Sequence, residues 1–455
     1  MCDYTQNVLY MSKEENIMKK KLVACLMTAT MALGLLTGCG TGADTTTGTS
    51  TDVVEGEEDT LKVWAWDQSF NIAAMKEAEK IYQKENPNFK LEIVETPWDD
   101  MQTQLGTIVA SGDYSKLPDI LLMQDYAFQK YAITYSDLFT DLTNCGINFS
   151  EFAAGKLAAS TVDGKNYGVP FDNGAEIAAY RTDILEQAGY TLEDLTDIDW
   201  ERYIEIGTDV YEKTGYSLLS VQAGSSDLIY QMLQSAGFGT WNEDGTPNIE
   251  GNENIKQCME IYKQMVETNV LSVVNSWDEY IATFTSGKTA GVINGCWIMA
   301  SIQTAEEQSG KWGITNIPSI PGVTSATNYS SQGGSTWTVT SNCVNKDLAF
   351  DFLSKTFAGS VELYDTILPA SGALATWIPA SESAAYTQPQ EFYGGQQVFS
   401  LISDYATKVP TVDLGVYYVE ANTALATAIA NVLAGSDIEG ELATAQKTVE
   451  FNMGQ

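Results

Sequence analysis

The sequence predicts an α/β protein built on doubly wound sheets, with enough chain for two domains. Two observations carry this. About 395 residues of globular composition follow Leu61, and single cores stop growing well before that length. Along most of that stretch, short apolar runs alternate with segments of helical spacing, the order that yields parallel strands joined by crossover helices. In such sheets ligands are met at the carboxyl ends of the strands.

The elements follow in order. Leu61 to Trp66 reads as a strand, and Ile72 to Asn86 as a helix stopped by Pro87. Leu91 to Val94 is a strand, Met101 to Ala110 a helix, and Leu117 to Met123 a buried strand. An extended segment, Tyr167 to Asn173, precedes a strand over Ile177 to Tyr180. Helices are expected at Trp200–Lys213, Ser226–Ala236, Glu253–Asn269 and Glu279–Ser286. Strands at Ala290–Asn294 and Trp337–Thr340 flank the return path, followed by a helix over Asp347–Phe357. The tail is helical from Tyr417 to Ala434 and from Ile438 to Glu450. There is no internal repeat and no GxxxxGK[ST] nucleotide loop.

The first forty residues predict export. Lys19, Lys20 and Lys21 precede an uncharged run from Leu22 to Leu36, a basic n-region followed by an apolar h-region. That run is shorter than the roughly 20 residues of a spanning helix. It ends in Leu36-Thr37-Gly38-Cys39, which resembles the lipobox of bacterial lipoproteins. The resemblance implies cleavage before Cys39 and acylation of its thiol, with residues 1–38 as signal and Met18 as the expected start. Residues 40 to 60 are rich in Gly, Thr and acids, too poor in bulky apolar groups to fold, and so are expected to form a flexible tether.

Composition removes several function classes. The chain holds 24 basic and 60 acidic residues for a net charge of −36. The segment before Cys39, with four lysines against three acids, contributes +1 of this, leaving −37 for the rest. Nucleic acid and anionic lipid surfaces need clusters of Lys and Arg, so neither is a partner of this body. Histidine is absent, which excludes Ser-His-Asp and Cys-His catalysis and the commonest ligand of zinc and copper sites. No metal or other cofactor is implied. Beyond Cys39, the cysteines Cys145, Cys258, Cys296 and Cys343 are far apart with no CxxC spacing, and read as small buried hydrophobes.

Several local patterns then carry a family resemblance: Leu117-Pro118-Asp119-Ile120; Gly164 to Pro170; Ile177 to Arg181 with Leu185 to Gly189; Phe284 to Gly291 followed by Asn294-Gly295-Cys296-Trp297; and Asn345-Lys346-Asp347 to Leu353. In this order and spacing, residues 61 to 455 resemble the extracellular solute-binding proteins of carbohydrate ABC transporters, the group containing maltose-binding protein. The resemblance departs at Arg181-Thr182-Asp183, where the family usually has asparagine and lysine. It implies two doubly wound α/β lobes of the type II periplasmic-binding-protein kind, joined by a hinge, with ligand in the cleft between them. One lobe is expected to comprise 61–171 with about 337–380, the other 173–330 with about 381–455. The crossings are expected near Pro170–Gly174 and Gly333–Thr336. The function implied is capture of a carbohydrate, an oligosaccharide, by a monomer tethered through Cys39 to the extracellular face of the cytoplasmic membrane. The sugar would be delivered to ABC permease subunits, and the chain would not be an enzyme.

A sugar ring presents C–H faces that lie on aromatic rings and hydroxyls that seek carboxylates and amides. Candidates are therefore aromatics and polar residues at strand ends and crossings. Trp66 and Asp67 end the first strand; Gln124, Asp125 and Tyr126 end the third. Asp172 and Asn173 occupy the outward crossing, and Gly333, Gly334, Ser335 and Trp337 the return. Trp297 matches the family's G-x-W aromatic, and Trp241, Trp277, Glu391 and Tyr393 complete the set. Other readings stay open: a binding protein of the same fold for a cationic solute such as a polyamine, an exported glycoside hydrolase using two carboxylates, or a surface adhesin. Lack of histidine weighs against an iron carrier.

Overall fold

The computed structural model describes residues 59–454; the signal, the lipobox with Cys39 and the tether up to residue 58 lie outside the described residues. Thr60, expected in the tether, is the first residue of a strand. Among the described residues no helix is long and apolar enough to cross a membrane.

Among the described residues, twelve strands form four sheets. The first sheet has the order β2-β1-β3-β12-β6, from β1 (Thr60–Ala65), β2 (Lys90–Glu95), β3 (Ile120–Gln124), β6 (Val169–Pro170) and β12 (Ser335–Val339). A two-strand ladder of β4 (Thr161–Val162) and β5 (Lys165–Asn166) lies between β3 and β6 in the chain. The second main sheet is β10-β7-β11, from β7 (Glu176–Arg181), β10 (Gly291–Gly295) and β11 (Trp312–Thr315). Beside it in sequence, β8 (Leu219–Gln222) pairs with β9 (Leu271–Val274).

Parallel pairing, expected throughout, holds for β1 with β2 and β3 and for β8 with β9. Both neighbours of β12 and both neighbours of β7 are antiparallel. The reason is topological. A parallel neighbour needs a crossover helix, and β12 instead enters the first sheet from the second lobe, running back along the outgoing strand.

Each lobe has its own core. Around the first sheet, Leu61, Val63, Ile120, Leu122, Phe171, Trp337 and Phe352 form one cluster, and Trp64, Leu105, Leu121, Met123 and Phe128 cover the opposite face. The alternation of β3 between them, with Ile120 and Leu122 on one side and Leu121 and Met123 on the other, is the period-2 signature of a strand buried on both faces. In the other lobe, Ala178 and Tyr180 of β7 face a cluster containing Trp200, Tyr203, Leu233 and Leu425. Ile177 and Ala179 face a second cluster with Phe284, Trp312 and Phe399. The last two helices, Tyr418–Leu433 and Ile438–Asn452, belong to the first of these cores. Cys258, Cys296 and Cys343 are buried free thiols, whereas Cys145 is only half-buried.

The chain passes between the lobes where β6 gives way to β7 and where the segment after Ser330 leads into β12. These crossing segments are pressed together: Ala175 bridges Ser331, and the Gln332 amide donates to the Gly174 carbonyl at 2.8 Å. A methyl group at Gly174 would run into the Gln332 carbonyl, and its next contact would be the Gly333 carbonyl carbon at 2.7 Å. A third segment joins them, since Asp172 bridges Ala375 and the Asn173 amide donates to the Leu374 carbonyl at 3.2 Å.

Candidate functional site

Aromatic rings from both lobes meet in a continuous wall. Trp66, just past β1, packs edge-on against Trp98 with centroids 5.3 Å apart. Trp98 opens the helix Trp98–Ser111 that follows β2, and contacts Tyr126 at 6.4 Å. Tyr126, in the first turn after β3, touches Tyr418 of the other lobe at 4.6 Å, and Tyr418 in turn touches Tyr230 at 4.7 Å. Trp66, Trp98 and Tyr126 remain half-exposed. Beside Tyr126 the lobes are also held together by an ion pair between Lys130 and Glu420, and the Lys130 ammonium lies 5.6 Å from the Tyr417 ring centroid.

Polar groups line the second lobe's side of this wall. Asp227 begins the helix Asp227–Ser235, where the helix N-terminus favours an acid. Its Oδ1 accepts from Asn422 Nδ2 at 3.3 Å. Burial pushes its carboxyl above the usual carboxylate range, and Asp99 of the first lobe pushes in the same direction. Glu176, the first residue of β7, is 2 % exposed, and both its oxygens are buried without a hydrogen-bond partner. Burial raises it well above its ordinary value, with Asp227 adding to the effect. Gln231, 4 % exposed, donates its amide to Gln332 Oε1 at the return crossing while its own Oε1 has no partner. Tyr280, acted on by both Asp227 and Glu176, accepts from Asn294 Nδ2 at 3.0 Å. Buried polar atoms normally find partners. The unpartnered oxygens of Glu176 and Gln231 are positions to which a ligand's hydrogen-bond donors could reach.

A second aromatic group stands at the return crossing. The Trp297 indole donates to the Gln332 carbonyl at 3.0 Å, and Trp277, 38 % exposed, lies 5.9 Å from it.

The crossings themselves carry a polar knot. Asp172, 2 % exposed, accepts from the Ser335 amide at 2.8 Å and from the Ser335 hydroxyl at 2.5 Å. Burial, only partly offset by the nearby Lys156 ammonium, pushes its carboxyl up to about 6. Asp125 pairs with Lys156 and accepts from Thr336 Oγ1 at 2.9 Å. Gly334 adopts φ +96° directly against Lys156 and Asp125, a conformation and a space that only glycine fits.

The sequence-derived candidates thus divide. Trp66 joins the wall, Trp277 and Trp297 form the second group, and Gln124 ends β3 with a buried, unpartnered Oε1. Asp125, Asp172, Gly334 and Ser335 are brought together, but as the tie between crossings. Asp67 accepts from the amides of Ser69 and Phe70 at 2.8 and 2.9 Å and shapes the turn into the helix Asn71–Gln83. Asn173 is occupied by a turn, its Oδ1 accepting from the Ala175 amide at 3.1 Å.

Two placements need correction, Trp337 and Tyr393. Trp337 is fully buried in the first lobe's core, because both faces of β12 are covered, and its ring offers no surface to a ligand. Tyr393 is likewise buried, against Trp312 and Phe399 in the other lobe. Its neighbour Glu391 is exposed, at the start of the short helix Glu391–Tyr393. Trp241 is half-buried beneath Gly415, where a methyl would lie 2.5 Å from its indole nitrogen, which has no hydrogen-bond partner. Residues missed in the sequence are Trp98, Glu176, Asp227, Tyr230, Gln231, Gln332 and Tyr418. Trp98 and Asp227 carried a usable signal, since each opens a helix soon after a strand; the rest did not.

Comparison with known proteins now decides the family. Residues 77–391 match the model of the bacterial extracellular solute-binding proteins. The chain belongs to this family. Among curated relatives of this solute-binding protein is the lactose-binding protein of Rhizobium radiobacter, 38% identical over 86% of this chain and 91% of the relative. An arabinooligosaccharide-binding protein of Halalkalibacterium halodurans is 24% identical over 89% of this chain and 92% of that one. Among solved structures, the ABC-transporter-associated binding protein of B. animalis subsp. lactis in complex with β-1,6-galactobiose superposes with a TM-score of 0.75. Its identity is 21%, with 86% of this chain and 96% of that one covered. At that identity the likeness speaks for the fold, a periplasmic-binding-protein-like one.

Proposed function

We propose that this protein captures a neutral oligosaccharide between its two lobes and delivers it to the permease of an ABC importer. The observation that carries the reading is the wall of Trp66, Trp98, Tyr126 and Tyr418 beside the unpartnered acceptors of Glu176 and Gln231. Rings offer the flat apolar faces, and carboxyls and amides take the hydroxyls. The lactose-binding relative makes lactose and other β-galactosides the first ligands to try, with arabinooligosaccharides next.

The mechanism follows from a two-state hinge. The lobes would sample open forms by rotation about the crossings 170–174 and 333–336, with 61–171 and about 337–380 as one lobe and 173–330 and about 381–455 as the other. A sugar touching both lobes favours the closed form by its differential affinity for it. The permease would read that closed form, and a separate subunit would hydrolyse ATP. Nothing in this reading asks the chain to break a bond, so incubation with oligosaccharides should release no product. A thermal-shift panel of mono- and oligosaccharides tests the function, with spermidine as a control. A ligand selective for the folded state present at 100 times its Kd stabilises by about 2.7 kcal/mol. A rise in melting temperature with one sugar class supports the proposal, and a rise with spermidine alone would replace the sugar by a cationic solute.

The lipid anchor belongs to the same proposal. Cys39 would hold the monomer at the outer face of the cytoplasmic membrane through the tether 40–58. Metabolic labelling with an alkyne fatty acid should mark the protein in the membrane fraction, and Cys39→Ala should lose both label and membrane association. Retention of label in that variant would place the modification elsewhere.

A further inference from the structure

Away from the crossings the lobes meet along a seam of two helices, each tied to its own core. The helix Asp125–Thr134 seats Phe128 and Ala132 in the first lobe, and the helix Tyr418–Leu433 seats Ala421 and Leu425 in the second. Between them the Tyr126 ring lies 4.6 Å from that of Tyr418. One turn further on, the Lys130 ammonium pairs with Glu420 and lies 5.6 Å from the Tyr417 ring centroid. Lys130 is the only cation in its helix, and Glu420 the only charged residue in the other. Both are mostly buried, their side chains 27 % and 18 % exposed. Glu420 Oε2 is buried without a partner, so among the described residues Lys130 supplies the hydrogen bond this carboxylate accepts. Elsewhere across the gap the lobes bring acids together, Asp99 of the first acting on Asp227 of the second.

We propose that Lys130 and Glu420 are positioning residues that latch the two lobes together even without a bound solute, and that slow the release of one once it is held. The open and closed forms ask different things of the pair. With the lobes apart both groups face water, and an exposed ion pair is worth little. With the lobes together, taking away the ammonium leaves a largely buried carboxylate with no donor, which costs far more than a lost surface pair. The helix N-terminus also favours an acid at Glu420, but it does so in both forms and adds nothing to closure. The chain's net charge of −36 opposes bringing two acidic lobes together, and the pair offsets part of that repulsion where the lobes touch. Only the effect on release rests on the carbohydrate reading; the effect on closure does not.

Two measurements on the purified protein test this in Lys130→Met, Glu420→Gln and the double variant. Small-angle scattering without ligand reads closure, and stopped-flow kinetics with lactose, or with the sugar the thermal-shift panel selects, reads release. Lys130→Met is expected to have a larger radius of gyration than the parent and a sugar off-rate raised about 3- to 30-fold. Glu420→Gln should change both less, because Lys130 can turn to water. The double variant should lie closer to the parent than Lys130→Met does, since the stranded carboxylate is gone. An unchanged radius of gyration in Lys130→Met overturns the latch, and so does a lower melting temperature with scattering and off-rate unaltered. A double variant whose off-rate is the product of the two single effects overturns the direct pairing. Scattering that changes as expected while no sugar binds the parent leaves the latch standing and overturns the sugar reading. Sugar bound with scattering unchanged does the reverse.

Discussion

Trp98→Ala should weaken sugar binding by roughly 10- to 70-fold while changing the melting temperature of the unliganded protein by only a few degrees. Trp98 stands in the middle of the first lobe's share of the wall, edge-on to Trp66 and Tyr126. It is half-exposed and begins its helix rather than filling its middle, so its loss leaves no closed cavity. A sugar face lying on the indole would cover roughly 60–100 Å2 of the 150–250 Å2 such a side chain can bury. At about 25 cal/mol per Å2 this is about 1.5–2.5 kcal/mol, which sets the expected fold-change. Calorimetric titration checks it, and Trp98→Phe should recover part of the loss. Trp337→Ala gives the contrasting outcome: its ring is core, so stability falls by about 3–5 kcal/mol.

Asp172→Ala should cost about 2–4 kcal/mol of stability, and Asp172→Asn much less. In the alanine variant the Ser335 amide and hydroxyl lose their acceptor within a buried crossing, and each orphaned donor costs about 1–3 kcal/mol. Asparagine keeps an oxygen in place. The aspartate also makes stability depend on pH, with a sign that can be worked out. Its carboxyl titrates near 6 in the fold against 3.8 for the ordinary group, so the folded protein holds the proton more tightly than the unfolded chain. Stability from this group is therefore fully present below about pH 4 and is lost as pH rises through 6, about 2–3 kcal/mol in all. Glu176 and Asp227 are shifted in the same direction and steepen the trend. Denaturant unfolding at pH 4, 5, 6 and 7 should show falling stability, with a shallower slope in Asp172→Asn. An equal slope in the two proteins would mean that Asp172 titrates no differently folded and unfolded.

Much of the fold was legible because its signals are local. The period of apolar residues marks β1 and β2 within one residue at each end and β3 within three, and Gly333-Gly334 marks the crossing because φ of +86° and +96° exclude most other residues. The antiparallel return of β12 was not legible, since strand direction depends on the path between lobes and not on the residues of the strand. The site was only partly readable for the same reason. Strand ends point to Trp66 and Gln124, but an aspartate after a strand can meet a ligand, cap a helix or pair with a lysine. Here Asp67 shapes a turn and Asp125 pairs with Lys156. Tyr418 lies nearly 300 residues from Tyr126 in the chain, and no local pattern announces that their rings touch. Glu176 looks from sequence like one more acid at a strand edge. Its burial without a partner emerges only when the helix of Asp227 and the return crossing close over it.

The central claim is that the aromatic wall and the polar groups beside it together hold the sugar, and a crystal structure of the protein with its bound disaccharide tests it most directly. The account predicts a sugar ring in van der Waals contact with Trp66 or Trp98 and a hydroxyl within hydrogen-bond distance of Glu176, Asp227 or Gln231. A sugar found outside the space between the lobes, with Glu176 and Gln231 still unpartnered, would contradict it.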